Sequence, residues 1–253
     1  MVAKACSVEF MGVQVGVLAY IDESPYATFE YSRDWINNGF SISPIHMPLN
    51  KTAFTFTNLA VETYRGLPGV FADSLPDDFG NALINSWLAR TGKDRNQFSA
   101  IDRLLYIGAR GMGALEYQTA IESEFIQVDE LSIASLLSLA QSVLDNREGL
   151  QVDMEDENAM AHLLQVGTSA GGARPKAVIA MNRQQSRILS GQTTQVPDGY
   201  EHYLIKFDGI EERSTDSQTF GDPKGYGVME YAYYIMAVAC GITMSPCGLL
   251  EED

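Results

Sequence analysis

Basic residues are scarce in this chain of 253 residues, in which 17 Lys and Arg stand against 33 Asp and Glu for a formal net charge of −16. Attraction to phosphates depends on Lys and Arg, so this balance argues against direct nucleic-acid binding and against docking on an anionic membrane surface. Hydrophobic residues still make up 45% of the chain. That share is enough for a buried core and argues against a disordered protein.

Cysteine and long apolar runs are also scarce. The three cysteines, Cys6, Cys240 and Cys247, form no Cys-x-x-Cys pair, which argues against a disulfide scaffold and against a zinc site. No apolar signal-peptide core follows the N-terminus, and the longest uncharged apolar stretch, residues 231–244, is shorter than the ~20 residues that cross a bilayer. We therefore expect a soluble cytoplasmic protein with no membrane contact.

Most of the negative charge falls in one part of the sequence. Between Arg110 and Arg174 there are eleven acidic residues and a single basic one, Arg147, which accounts for −10 of the total. Two interpretations remain open. The stretch is either a solvated helical face that keeps the protein soluble or a docking surface for a basic partner.

The pattern of apolar residues, glycines and prolines predicts an α+β protein. In the first part we predict a hairpin of strands 7–10 and 13–18, further strands at 27–31 and 40–43, and helices at 77–89, 101–107, 131–144 and 153–164. In the remainder we predict strands at 177–181 and 203–207, a helix at 227–239 and a strand-like end at 242–250. The character of the sequence changes after the helix at 153–164, and we predict a domain boundary near residue 150, with two domains at residues 1–150 and 151–253.

A glycine-rich stretch, residues 167–176, precedes the strand at 177–181. Glycines let backbone N–H groups converge on an anion, and Arg174 and Lys176 add positive charge. The stretch matches neither the Walker A pattern nor Gly-x-Gly-x-x-Gly, so taken alone it favours an ordinary tight turn.

Two further residues follow in an order typical of a kinase N-lobe. Lys206 lies inside an apolar strand, where an ammonium group is costly unless it has a partner or reaches the strand edge. Glu230 lies on the helix at 227–239, where a lone glutamate is usually only solvated. Protein kinases hold the phosphates of ATP with a glycine-rich loop, a strand lysine and a helix glutamate. In these kinases the lysine pairs with the glutamate.

With these residues the sequence resembles the HipA family of serine/threonine kinase toxins from bacterial toxin–antitoxin systems. Five stretches carry the resemblance, namely residues 69–80, 106–116, 167–177, 203–207 and 229–246. The tripeptide Asp78-Phe79-Gly80 also spells the kinase metal-binding motif, but it precedes the glycine-rich stretch, whereas a metal-binding aspartate should follow the lysine. We interpret this tripeptide as structural, a turn that leads into the helix at 77–89.

The resemblance implies a β-rich N-terminal subdomain followed by the N-lobe part of a protein-kinase-like fold. It implies that the nucleotide-binding residues are Ala170, Gly171, Gly172, Ala173, Arg174, Pro175, Lys176 and Lys206. It also implies that Glu230 pairs with Lys206 and that ATP and Mg²⁺ are the cofactors. Ser169 falls at the serine that family members autophosphorylate, where a phosphate would compete with those of ATP; the alternative is a turn hydroxyl that bonds to local backbone.

The same resemblance implies a HipB-like DNA-binding antitoxin as partner and a protein serine as phosphate acceptor; some members of the family act on tRNA-charging enzymes. A partner that supplies the DNA binding agrees with the acidity of this chain. Two functions remain open. One is a serine/threonine kinase that is incomplete in this chain, and the other is a catalytically inactive N-terminal module that binds the antitoxin.

No catalytic residue and no metal ligand of a kinase can be assigned from this sequence. The only acidic residues after Glu230 are Glu251, Glu252 and Asp253. We expect the catalytic and metal-binding aspartates in a missing C-terminal part, so that the chain is a fragment, a truncated gene product or half of a split kinase.

We predict that the 253-residue chain alone transfers no phosphate, because phosphoryl transfer needs bound Mg²⁺ and an oriented acceptor hydroxyl. The measurement is an incubation with labelled ATP, Mg²⁺ and a cell extract, with a complete kinase as positive control. Label on any protein above the level of a reaction without the chain would contradict this prediction.

Overall fold

The computed structural model describes residues 5–22, 24–90, 92, 94, 98–118, 175–185, 187–191, 196–209 and 224–250. The chain forms two compact units, Met1–Asp77 with Thr91–Gln127, and Asp78–Arg90 with Val128–Asp253. The boundary that we predict near residue 150 lies outside the described residues, as do the predicted helices at 131–144 and 153–164.

Strands and helices alternate irregularly along the chain. The strands are β1 (Ala5–Phe10), β2 (Val13–Tyr20), β3 (Ala27–Tyr31), β4 (Phe54–Thr55), β5 (Leu115–Gln118), β6 (Lys176–Asn182), β7 (Ile188–Ser190) and β8 (Tyr200–Lys206). The helices are α1 (Arg33–Asn38), α2 (Val61–Tyr64), α3 (Gly69–Ala72), α4 (Asp78–Arg90), α5 (Ala100–Ile107) and α6 (Tyr226–Ala239), with a 3-10 turn at Gly108–Arg110. The predicted α+β class, with a β-rich N-terminal region, is confirmed.

In the first unit five antiparallel strands form a sheet with the order β4-β3-β2-β1-β5. The predicted hairpin is confirmed, since Phe10 pairs with Val13 across a two-residue turn. Both turn residues, Met11 and Gly12, have positive φ, 51° and 74°. That conformation gives a hairpin turn the twist of its flanking strands.

An apolar core joins this sheet to its helices. Leu18 of β2 and Phe29 of β3 are buried together with Phe71 of α3 and Leu104 of α5. Cys6 of β1 belongs to the same core, and burial raises the pKa of its thiol to about 12. Cys6 is therefore a protonated side chain of the core.

The predicted strand at 40–43 is wrong, because side chains occupy its backbone hydrogen-bonding groups. The Tyr31 hydroxyl accepts a hydrogen bond from the Ile42 N–H at 3.1 Å. The indole N–H of Trp35 donates to the Phe40 carbonyl at 2.8 Å. Backbone groups that are bonded in this way do not form a strand ladder.

In the second unit three antiparallel strands have the order β7-β6-β8. The central strand β6 is buried from Lys176 to Met181, whereas β8 is largely exposed. The predicted strands at 177–181 and 203–207 are confirmed as β6 and β8, and β8 begins three residues before its predicted start.

The two described helices of the second unit differ in burial. α4 buries four apolar side chains, Phe79, Leu83, Ile84 and Leu88. Asp78-Phe79-Gly80 forms its first turn, and the complete burial of the Phe79 side chain agrees with a structural role for this tripeptide.

The predicted helix at 227–239 is confirmed as α6, which has no buried residue. Its exposed apolar side chains include Val228, Tyr233, Ile235 and Met236.

The strand-like end predicted at 242–250 is wrong, since these residues are exposed and have no regular secondary structure. Among the described helices, none combines the length and the hydropathy needed to cross a bilayer.

Two glycines with nearly the same φ allow a matched test of packing in the first unit. Gly66 has φ 75°, and a Cβ at this position would lie 2.0 Å from the Pro25 carbonyl oxygen, whereas Gly12, with φ 74°, has open space around it. We predict that Gly12→Ala lowers the free energy of unfolding by about 1 kcal/mol through its left-handed φ alone, and Gly66→Ala by about 3 kcal/mol because the backbone must also move. Urea unfolding measures both; equal losses would contradict the prediction.

Candidate functional site

The pairing of β6 with β8 brings two lysines together. In the antiparallel register Lys176 lies directly opposite Lys206, and residues opposite each other on neighbouring antiparallel strands project from the same face of the sheet. Lys176 is 6% exposed, whereas the side chain of Lys206 is 44% exposed. Two of the predicted nucleotide-binding residues therefore share one face at one end of the sheet.

The residues next to these lysines close this end of the ladder. The Phe207 N–H donates to the Pro175 carbonyl at 3.3 Å, which extends the pairing by one step beyond Lys176 and Lys206. Phe207 is buried, so it anchors the end of β8. Pro175, another of the predicted nucleotide-binding residues, is held directly beside the lysine pair.

An ion pair joins β8 to α6. The Nζ of Lys206 lies 2.7 Å from the Oε2 of Glu230, and the Glu230 side chain is 43% exposed. This distance is that of a charge-assisted hydrogen bond. The lysine and the glutamate that the sequence singles out are thus in direct contact, even though both remain half in solvent.

Among the described residues, this end of the sheet carries the charges of Lys176 and Lys206, and α6 adds the carboxylate of Glu230. Like charges directly opposite each other on two strands destabilise a sheet. The Glu230 carboxylate offsets the charge of Lys206, and Lys176 also has a polar interaction of its own. Two lysines on one face of a sheet are side chains that can bind an anionic group.

The rest of the predicted site lies outside the described residues. This applies to Ser169 and to the glycine-rich residues Ala170, Gly171, Gly172, Ala173 and Arg174. Within the described ranges, no group of three or more His, Cys, Asp or Glu side chains is placed to hold a metal ion.

The structure adds Asp208, which the sequence pattern does not single out. Both carboxylate oxygens of Asp208 accept from the backbone N–H of Gly225, at 3.1 Å for Oδ1 and 2.9 Å for Oδ2. Gly225 is the N-cap residue of α6 and has φ 107°. No local sequence pattern marks Asp208, because its partner is a backbone N–H seventeen residues away.

Comparison with known protein families assigns both parts of the chain. A family model described as the HipA N-terminal domain matches residues 6–118, and one described as the HipA-like C-terminal domain matches residues 168–253. The chain belongs to the HipA family. The known role of the HipA family is in toxin–antitoxin systems, and Lys176, Lys206 and Glu230 all lie in the part that matches its C-terminal domain. No curated protein matches the chain.

We predict that the ion pair adds little to folding stability, because solvent screens a half-exposed pair. In a double-mutant cycle of Lys206→Met, Glu230→Gln and the double variant, we expect a coupling free energy below about 1 kcal/mol at low salt. The coupling should fall further in 0.5 M NaCl, a salt concentration chosen to screen surface charges. Urea unfolding at the two salt concentrations measures it. A coupling of several kcal/mol that does not respond to salt would refute this expectation.

Proposed function

We propose that this HipA family chain forms the ATP-binding part of a serine/threonine protein kinase that transfers the γ-phosphate of ATP to a protein serine. The observation that carries the proposal is the 2.7 Å contact between Lys206 of β8 and Glu230 of α6. A strand lysine that pairs with a helix glutamate is the arrangement by which protein kinases hold the phosphates of ATP.

The residues of this face fit a polyphosphate. Lys206 and Lys176 lie opposite each other on the same side of the sheet, and the proposal places the phosphates of ATP on this side. The glycine-rich residues 170–174 come directly before Pro175 and β6. Glycines and a positive charge at this place in the sequence suit a loop whose backbone N–H groups contact phosphate.

In this proposal Glu230 acts before ATP arrives. Its carboxylate holds the Lys206 ammonium in one place, so that less side-chain freedom is lost when a phosphate binds. Because the Lys206 side chain is 44% exposed, its ammonium group can contact a ligand while it is paired with Glu230. The pair then contributes to affinity through positioning more than through stability.

Magnesium, when bound, would neutralise negative charge on the phosphates. The described residues contain no cluster of metal-ligating side chains, so the proposal assigns no metal ligand within them. Ser169 remains the proposed autophosphorylation site. A phosphate there would compete with ATP for the same positive charges.

A HipB-like antitoxin is the proposed protein partner, in agreement with the role of the HipA family in toxin–antitoxin systems. We assign DNA binding to the antitoxin, because the net charge of this chain, −16, opposes contact with phosphate backbones. The proposed substrate is a protein serine, with tRNA-charging enzymes as the first candidates to assay, and the proposed location is the cytoplasm.

A second candidate function is a catalytically inactive module that binds the antitoxin. It is favoured by the first unit, which has its own five-stranded sheet, its own core and its own match to the HipA N-terminal domain. Lys176, Lys206 and Glu230 all lie outside this unit. Purification together with the antitoxin but without binding of ATP would favour this second function over the first.

Nucleotide binding tests the proposal directly. We predict that the chain binds a fluorescent ATP analogue with Mg²⁺ and that Lys206→Met weakens binding at least about tenfold, because a hydrogen bond to a charged partner contributes ~1.5–3 kcal/mol. The matched control is Lys51→Met, which removes an exposed lysine of the first unit. Equal affinity of these two variants, or no binding by the unchanged chain at millimolar analogue, would rule the proposal out.

A further inference from the structure

Two contacts attach α6 to the end of β8, and only one of them is the ion pair. Lys206 contacts Glu230. Two residues further along, Asp208 receives the Gly225 N–H on both carboxylate oxygens. Gly225 caps α6, and its carbonyl accepts the helical hydrogen bond from the Met229 N–H at 3.1 Å. The carboxylate therefore bonds to the N-cap residue of the helix that carries Glu230.

The first turn of α6 also packs closely against the Asp208 side chain. A Cβ at Gly227 would lie 3.5 Å from the Asp208 Cβ and 3.7 Å from its Oδ2, so the first turn of α6 rests against this side chain. Lys224 also approaches Gly209, where a Cβ would lie 3.7 Å from the Lys224 Cβ. The chain leaving β8 and the chain entering α6 are thus in contact at this point.

The backbone between the two contacts is held in place. Asp208 lies in a bend, two residues beyond the last residue of β8. Phe207, between Lys206 and Asp208, is buried, and its N–H is bonded to the Pro175 carbonyl. On the helix, Gly227 and Glu230 are three apart, which places them on the same face.

We propose that Asp208 is a positioning residue that sets the contact between Lys206 and Glu230. A carboxylate at a helix N-terminus is favoured by the helix dipole and by its bonds to backbone N–H groups. It holds α6 at one axial position relative to β8. Without it, α6 loses a charged contact with the chain that leaves β8, and we expect the distance between the Glu230 carboxylate and the Lys206 ammonium to increase.

The consequence for ligand binding rests on the proposed ATP-binding function, whereas the positioning of the ion pair does not. The first readout therefore uses the full chain without nucleotide, labelled with ¹³C and ¹⁵N in lysine. The ε-methylene signal of Lys206 is assigned by its loss in Lys206→Arg. Glu230→Gln gives the position of this signal when the ion pair is absent.

We expect Asp208→Ala to move the Lys206 signal toward its position in Glu230→Gln. Asp208→Asn, which keeps one acceptor oxygen and removes the charge, should move it part of the way. The matched control is Asp198→Ala, which removes an exposed aspartate from the loop before β8 and should leave the signal in place. If Asp208 only adds stability, Asp208→Ala should lower the melting temperature without moving the Lys206 signal.

The proposal is overturned if Asp208→Ala and Asp208→Asn are folded by circular dichroism and the Lys206 signal stays at its original position in both. If Asp208→Ala does not fold, Asp208→Asn decides by the same criterion. The ATP analogue gives a separate readout. We expect Asp208→Ala to weaken binding, and the double variant with Glu230→Gln to bind no more weakly than Glu230→Gln alone. Absence of binding by every chain would remove the proposed function and leave the NMR result to decide the role of Asp208.

Discussion

Seven residue pairs join β6 to β8, and the placement of the candidate site depends on their register. A shift of one residue would turn the side chain of Lys206 to the opposite face of the sheet. It would then lose both its position opposite Lys176 and its contact with Glu230. The register is held because the central strand β6 is buried along nearly its whole length and because the bond from Phe207 to Pro175 continues the ladder past the lysines.

The contacts that define the candidate site contribute little to the free energy of folding. Their main effect is on the positions of the charged groups. A half-exposed ion pair and a carboxylate cap are both modest in stability. They determine instead where one ammonium group lies relative to its neighbours. This division is physically reasonable, because a lysine that must contact a ligand has to stay accessible, and an accessible charge is screened by water.

Much of the second unit could be predicted from local patterns. The apolar runs gave β6, β8 and α6, and the order of lysine and glutamate led to Lys206 and Glu230. Asp208 could not be found in this way, because its partner is a backbone N–H seventeen residues away and an aspartate after a strand usually reads as a turn residue. Only tertiary structure brings such partners together.

The errors in the predicted fold have equally specific causes. Residues 40–43 have strand-like composition, but Tyr31 and Trp35 bond to their backbone. The short helix α1 went unpredicted because six residues give almost no periodicity. Its signal was Ser32, whose hydroxyl accepts the Trp35 N–H at 3.1 Å and so caps the helix. Both features depend on side-chain to backbone hydrogen bonds, which a pattern of apolar and polar residues does not encode.

The exposed apolar face of α6 has a practical consequence for handling the protein. With a net charge of −16 and an isoelectric point near 4.5, copies of the chain repel one another at neutral pH. Acidification toward the isoelectric point or concentrated salt removes this repulsion, while side chains such as Tyr233 and Met236 stay exposed. Colloidal stability therefore comes from charge, and acidic or high-salt buffers are the conditions in which this chain precipitates first.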